Sequence, residues 1–171
     1  MREAFALISA AIILVAAPPY IIDTIKGKTK PERMTWFIFG MLGVIAFVSQ
    51  IGLGASWSLV FSGLDTAASI LVFGLALKYG AGGYTKNDIF ALCVATVGAV
   101  TAIIVKEPVV SLFGVLLADL SGSILTLMKT YKEPESETTI TWLMVGTASV
   151  FGVLAVGKMS FELLLYPIYL M

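Results

Sequence analysis

Two carboxylates stand where carboxylates are expensive. Asp65 lies in the run VFSGLDTAASIL and Asp119 in VLLADLSGSIL. An ionisable side chain near the centre of a bilayer costs at least ~2.5–3.5 kcal/mol, so it is kept where it faces a bundle interior or a wet cavity. Its default role there is in a transport path or a proton relay. No Lys or Arg stands in the middle of another apolar segment. One such Asp in each half of the chain, at similar depth, is a pattern suited to moving a proton with a polar solute. The alternative is that each Asp caps a kink or bonds a nearby Thr66, Ser69, Ser121 or Ser123. Gln50, beside Ser49, carries an amide that both donates and accepts. It serves either a solute or an interhelical hydrogen bond worth about 0.6 kcal/mol. Asp65, Asp119, Gln50, Ser62 and Ser123 form the expected solute-contacting set. There is no His, and Cys93 is the one cysteine. That excludes a Cys/His metal site and an internal disulfide, and it removes the Ser-His and Cys-His nucleophile pairs. The expectation is no catalytic residue, no metal and no cofactor, hence not an enzyme.

The elements that must hold these residues are membrane helices. The chain has 171 residues, of which 58% are apolar and 13% charged, with mean hydropathy +0.97. Soluble domains run at roughly 45–50% apolar and about 25% charged. So little charge cannot cover a soluble globule of this size, which excludes a soluble enzyme and a disordered chain. The formal net charge of zero implies no polyanionic partner and no nucleic acid. A multi-pass protein of the cell membrane is expected, with the lipid bilayer and a small molecule as partners.

A helix of about 20 apolar residues, within roughly 17–25, crosses a bilayer. Seven segments read as spans: 4–25, 36–53, 57–77, 89–105, 109–128, 140–156 and 161–171. The first resembles a signal peptide but lacks a small-residue cleavage site ahead of a soluble domain, so it reads as a permanent span. The last is short, a half-crossing unless its helix begins nearer Gly157. Lys26, Lys28, Lys30, Arg33, Lys78, Lys86, Lys129 and Lys132 flank the first, third and fifth connections, against Arg2, Lys106 and Lys158 on the other side. The positive-inside rule then puts the N-terminus outside and the C-terminus in the cytoplasm. Trp36, Trp57 and Trp142 open spans at the interfaces, as aromatic belts do.

An internal repeat runs through the chain. PPYIIDTIKGKTKPE (18–32) and SGSILTLMKTYKEPE (121–135) match at Ile21/Ile124, Lys26/Lys129, Pro31/Pro134 and Glu32/Glu135. After a three-residue insertion, Thr35, Trp36, Gly40 and Val44 fall on Thr141, Trp142, Gly146 and Val150. In each copy a helix ends in a basic stretch, Pro-Glu follows, and Thr-Trp opens the next helix. Spans 1–3 and 5–7 are thus expected to be two copies of one unit, and span 4 restores their common direction. The domains are 1–80, a linker helix at 87–106, and 107–171. Such parallel repeats have their axis along the membrane normal. Pro18-Pro19 removes two backbone donors from span 1 and is expected to kink it; Gly122 takes the corresponding place in span 5. These three residues are the expected hinge, the alternative being a static kink.

AAPPYIIDTIKGKTKPERMTW resembles the first PQ-loop motif of the SWEET, SemiSWEET and PQ-loop transporter superfamily, and LADLSGSILTLMKTYKEPESE resembles a second. The Pro-Gln pair of that family stands here as Pro18-Pro19 and as Ser121-Gly122. The resemblance implies an all-α integral membrane fold of seven helices, two parallel three-helix repeats joined by a linker helix. It implies alternating-access transport of a small polar solute: a sugar, an amino acid or a vitamin-like compound. A polar residue of the third helix lines the solute site in that family, and Asp65 falls close to that position. The expected function is therefore solute transport, with proton coupling through Asp65 and Asp119, in a monomer or homodimer. The alternative is a ligand-holding receptor or sorting protein without flux.

Overall fold

The computed structural model describes residues 2–52, 57–105, 108–155 and 168. Among these, six α-helices account for nearly all the backbone: α1 (Arg2–Ile25), α2 (Arg33–Gly52), α3 (Trp57–Tyr79), α4 (Lys86–Ile104), α5 (Pro108–Lys132) and α6 (Thr139–Ala155). A single 3-10 turn, Pro134–Ser136, leads into α6. Every helix end falls within four residues of the expected span. The expected seventh span, 161–171, lies outside the described residues. α1 stays one helix through Pro18 and Pro19.

Arg2–Ile25, Lys86–Ile104 and Phe113–Lys132 are long and apolar enough to cross a membrane by length and composition. Arg33–Ile45 and Thr139–Ala155 are apolar but shorter. The distribution of side chains is inverted relative to a water-soluble bundle. Large aliphatic and aromatic residues point outward, among them Leu14, Val15, Phe90, Val97, Ile104 and Leu143. Small or hydroxyl-bearing residues point inward, among them Ser9, Ala16, Thr35, Ser69, Ala95, Ala118 and Ser121. In lipid the outward residues lose nothing, and small inward residues let backbones approach and gain dispersion contacts.

α2 is central: it packs against α3, α4 and α5, while α1 packs against α3 and α6. Ile38 and Leu42 of α2 join Ala91, Ala95 and Ala99 of α4 and Ala118 and Leu125 of α5 in one core. α4 and α5 approach most closely. A Cβ on Gly114 would sit 2.7 Å from the carbonyl oxygen of Gly98, and one on Gly98 would collide with the Gly114 carbonyl. At the same seam Ser121 Oγ donates to the carbonyls of Ala91 and Ala118, at 3.0 and 2.7 Å. α1 meets α6 through Ser9 Oγ, which donates to the Ala148 carbonyl at 2.8 Å, and through the Phe5–Phe151 ring pair.

The connections α1–α2, α3–α4 and α5–α6 meet at one end of the bundle. Ala81 N–H donates to Pro31 O, and Arg33 N–H to Ala81 O. Lys30 N–H donates to Ser136 O. Alternation of helix direction requires this common end, and the hydrogen bonds make it a single structure.

Candidate functional site

Asp65 stands on the stripe of α3 that carries the buried Ser69, Val72 and Ala76, at spacings of four, seven and eleven residues. It is half-buried. No described residue offers its carboxylate a hydrogen bond or ion pair. Its neighbour Thr66 packs instead against Gly43, fixing α3 on α2. Asp119 is buried on α5, in the stripe that continues through Gly122 and Thr126. Ser123 Oγ lies 3.5 Å from its Oδ2. α3 and α5 make no contact with each other among the described residues; both pack on α2. The structure therefore brings Asp119 to Ser123 and leaves Asp65 on a separate helix. The side chains of Gln50 and Ser62 lie outside the described residues. Two apolar grooves of about 410 and 250 Å³ run along the α4–α5 seam, the first past Cys93 and Phe113, the second past Phe90 and Ile124. Neither includes Asp65 or Asp119.

The expected hinge residues have definite surroundings. Gly122 is buried against Ile38 and Phe39 of α2, each 3.4–3.5 Å from where a Cβ would be. Its carbonyl accepts the Thr35 hydroxyl at 2.6 Å. In the other half, Thr141 Oγ1 donates to the Ala16 carbonyl at 2.9 Å, on the turn of α1 that leads into Pro18 and Pro19. Thr35 and Thr141 thus tie α2 to α5 and α6 to α1.

The common loop end is closed by two polar knots with an aromatic layer above them. In the first, the Arg33 guanidinium donates to the carbonyls of Ala76, Gly80 and Gly82 at 2.8–2.9 Å. A cation on the last carbonyls of α3 complements that helix's dipole and satisfies its orphan acceptors. Glu32 caps α2 in the opposite sense, its Oε2 accepting Thr35 N–H at 2.6 Å. The α4 start is held by a capping box, with Thr85 and Asp88 bonding each other's backbone N–H. Asp88 Oδ2 also accepts Gly83 N–H at 2.8 Å. Burial pushes the Glu32 carboxyl above its ordinary value of 4.5, the Thr35 hydrogen bonds oppose this, and the nearby Asp88 carboxylate adds to the rise.

The second knot centres on Lys129. It pairs with Glu137 and donates to the carbonyls of Lys30 and Ser136. The side chains of this ion pair are only 10% and 4% exposed. Trp142 Nε1 donates to Glu137 Oε2 at 2.9 Å. The hydroxyls of Thr29 and Thr138 share a hydrogen bond, and Thr138 also donates to Asp23 at 3.2 Å. Over this knot lie Tyr20 of α1, Trp36 of α2 and Trp142 of α6, with ring centroids 5.1–6.4 Å apart. Trp36 Nε1 donates to the buried Tyr20 hydroxyl at 3.1 Å. The three rings join α1, α2 and α6 at this end.

Sequence reasoning placed Trp36 and Trp142 at the membrane interface and did not foresee that they meet. It also missed the knot residues Tyr20, Glu32, Arg33, Lys129 and Glu137 as a structural group. Thr85-x-x-Asp88 is a capping signature readable from sequence alone. Glu135, which the repeat aligns with Glu32, is exposed, and Glu137 two residues on takes the buried place.

No protein-family model, no curated protein and no solved structure matches this chain.

Proposed function

We propose that the chain is a transporter of a small polar solute, built on a SWEET/PQ-loop-like plan of two three-helix units joined by α4. The observation that carries this reading is the reciprocal crossing of α2 with α5 and α6 with α1. Thr35 and Thr141, matched by the repeat, each donate to a carbonyl in the first helix of the other unit. A chain with a pseudo-two-fold axis along the membrane normal pairs its helices in this way. The inverted exterior supports a position in the bilayer, and the eight basic residues around the three joined connections support a cytoplasmic location for that end. The conformation described is then shut on the cytoplasmic side by Tyr20, Trp36 and Trp142. On this reading residues 161–171 supply the seventh helix, and the N-terminus is outside.

Asp65 is the residue assigned to the solute. Its carboxylate is half-buried and has no partner among the described residues, so it can accept hydroxyl or ammonium donors, or carry a proton. Alternation requires the three rings to part and the second knot to open. Asp119, held by Ser123 on the α2-facing stripe, is assigned to the same pathway from the other unit.

The test is uptake by proteoliposomes from a mixed metabolite pool, read by mass spectrometry at two pH values. Accumulation of a polar solute, lost in Asp65→Asn, is the expected result. Saturable binding without accumulation identifies a ligand-holding receptor and rejects transport.

A further inference from the structure

Counting protons around Thr35 leaves one contact short. The Thr35 hydroxyl has a single proton to give. It lies 2.6 Å from the Gly122 carbonyl oxygen, which can only accept. It lies 2.9 Å from Glu32 Oε2. Its third neighbour, Thr126 Oγ1 at 3.0 Å, is a donor to it. If Thr35 serves Gly122, the contact with Glu32 is a hydrogen bond only when Glu32 brings the proton. An ionised Glu32 instead competes for the Thr35 proton, and a charged acceptor outbids a neutral carbonyl, its hydrogen bonds being roughly twice as strong.

The remaining surroundings pull both ways: Thr35 N–H, 2.6 Å from Oε2, and the Met34 backbone N–H favour the carboxylate, while burial, the largest influence, and Asp88 favour the neutral acid and prevail. Glu32 is 3% exposed. Its Oε1 is buried with no hydrogen-bond partner. It rests against Gly82, where φ is +70° and any Cβ would collide with that oxygen. A bare carboxylate oxygen in such a place is far costlier than the carbonyl oxygen of a neutral acid. The charged groups facing it do not compensate. From α4 comes Asp88, of like charge. The adjacent Arg33 gives three of its five N–H donors to the carbonyls of Ala76, Gly80 and Gly82 and makes no hydrogen bond to Glu32 among the described residues. From α1 comes the phenol of Tyr20. From α5 come the Gly122 carbonyl and the Thr126 hydroxyl, neither titratable.

We propose that Glu32 is a proton-binding switch that decides whether the Thr35 hydroxyl ties α2 to α5. With the proton on Glu32, Glu32 donates to Thr35 and Thr35 donates to Gly122, so the helices are linked. When the proton leaves to solvent, the Thr35 hydroxyl turns to the carboxylate and the Gly122 carbonyl loses its donor. The link lies at the junction of the two sequence copies, so its release loosens one of the two crossings that join them. This holds whether or not the chain transports a solute.

The experiment uses the full chain in lipid nanodiscs, with two readouts. Infrared spectroscopy follows the carboxylic-acid carbonyl band through a pH titration. Spin labels at Val44→Cys and Leu117→Cys, in a Cys93→Ser background, report the α2–α5 distance. The expected results are an acid band that persists above the usual carboxylate range and is lost in Glu32→Gln, and a distance distribution that broadens as that band disappears. Glu32→Gln, which keeps a donor, should hold the narrow distribution at every pH. Thr35→Val should keep the band and show the broad distribution throughout. An acid band undiminished in Glu32→Gln, or a wild-type distance indifferent to the loss of the band, overturns the proposal. If Glu32→Gln does not fold, the wild-type titration and Thr35→Val decide it alone.

Discussion

The two kinds of acid in this chain face different fates. Asp65 has no described partner and little to hold in place, so Asp65→Asn should leave the helical circular dichroism unchanged while uptake falls by about tenfold or more, as for loss of one hydrogen bond to charge of ~1.5–3 kcal/mol. Glu137 is the reverse case. It is buried with Lys129 and receives Trp142 Nε1. Removing one member strands the other charge, so Glu137→Gln or Lys129→Met should each cost about 3–5 kcal/mol in reversible unfolding from mixed micelles. Replacing both at once should cost less than the sum. Glu32 gives stability a pH dependence of definite sign. Its folded-state value is raised above 4.5, so the native state binds the proton more tightly than the unfolded chain. Its contribution is complete at acidic pH and is lost as pH rises from there through the raised value. Unfolding of Glu32→Gln should lack that decline, and an identical pH profile in the variant would remove Glu32 from the account. None of these knot roles was legible in the sequence. Lys129, Lys30 and Arg33 read there as topological charges, and nothing in their spacing says which loops touch.

At the scale of elements the sequence was informative, because apolar length is the main determinant of a span. All six described helices appear where the hydropathy put them, lengthened at their ends by caps that hydropathy does not register, such as Thr85 with Asp88 and Glu32 with Thr35. Contacts between helices were less legible. The identity of the partner at each close approach was hidden: Gly43 meets Thr66, and Gly114 meets Gly98. The α4–α5 seam has no slack, since the Gly98 and Gly114 backbones touch. Gly98→Val should therefore push the two helices apart at a cost of about 1–3 kcal/mol, the usual cost of overpacking. Limited proteolysis in the 80–85 connection should report it as faster cleavage, while Gly74→Ala, where a Cβ meets nothing within 4 Å, should not.

For the molecule as a whole, the joined loops make a prediction about sidedness. Tyr84 and Tyr131 are exposed near the knotted end, 92% and 89% accessible. In a Cys93→Ser background, Tyr84→Cys and Tyr131→Cys should be labelled by an impermeant maleimide from one face of the membrane only, the same for both, and Glu3→Cys from the other. Labelling of Tyr84→Cys and Tyr131→Cys from opposite faces would contradict the arrangement. A shared order of features was visible in the sequence, but that Thr35 of α2 reaches α5 and Thr141 of α6 reaches α1 was not. The α1–α6 contact carries a further implication for biosynthesis. Ser9 and its acceptor Ala148 are separated by 139 residues. At roughly 5–20 residues per second of translation, α1 must wait on the order of ten seconds for its mate to leave the ribosome. During that interval its Ser9–Ala16 face has only α3 or lipid to lie against. A nascent chain stalled after α5 should therefore be recognised as unfinished and degraded by membrane quality-control proteases, even though most of its helices are already inserted.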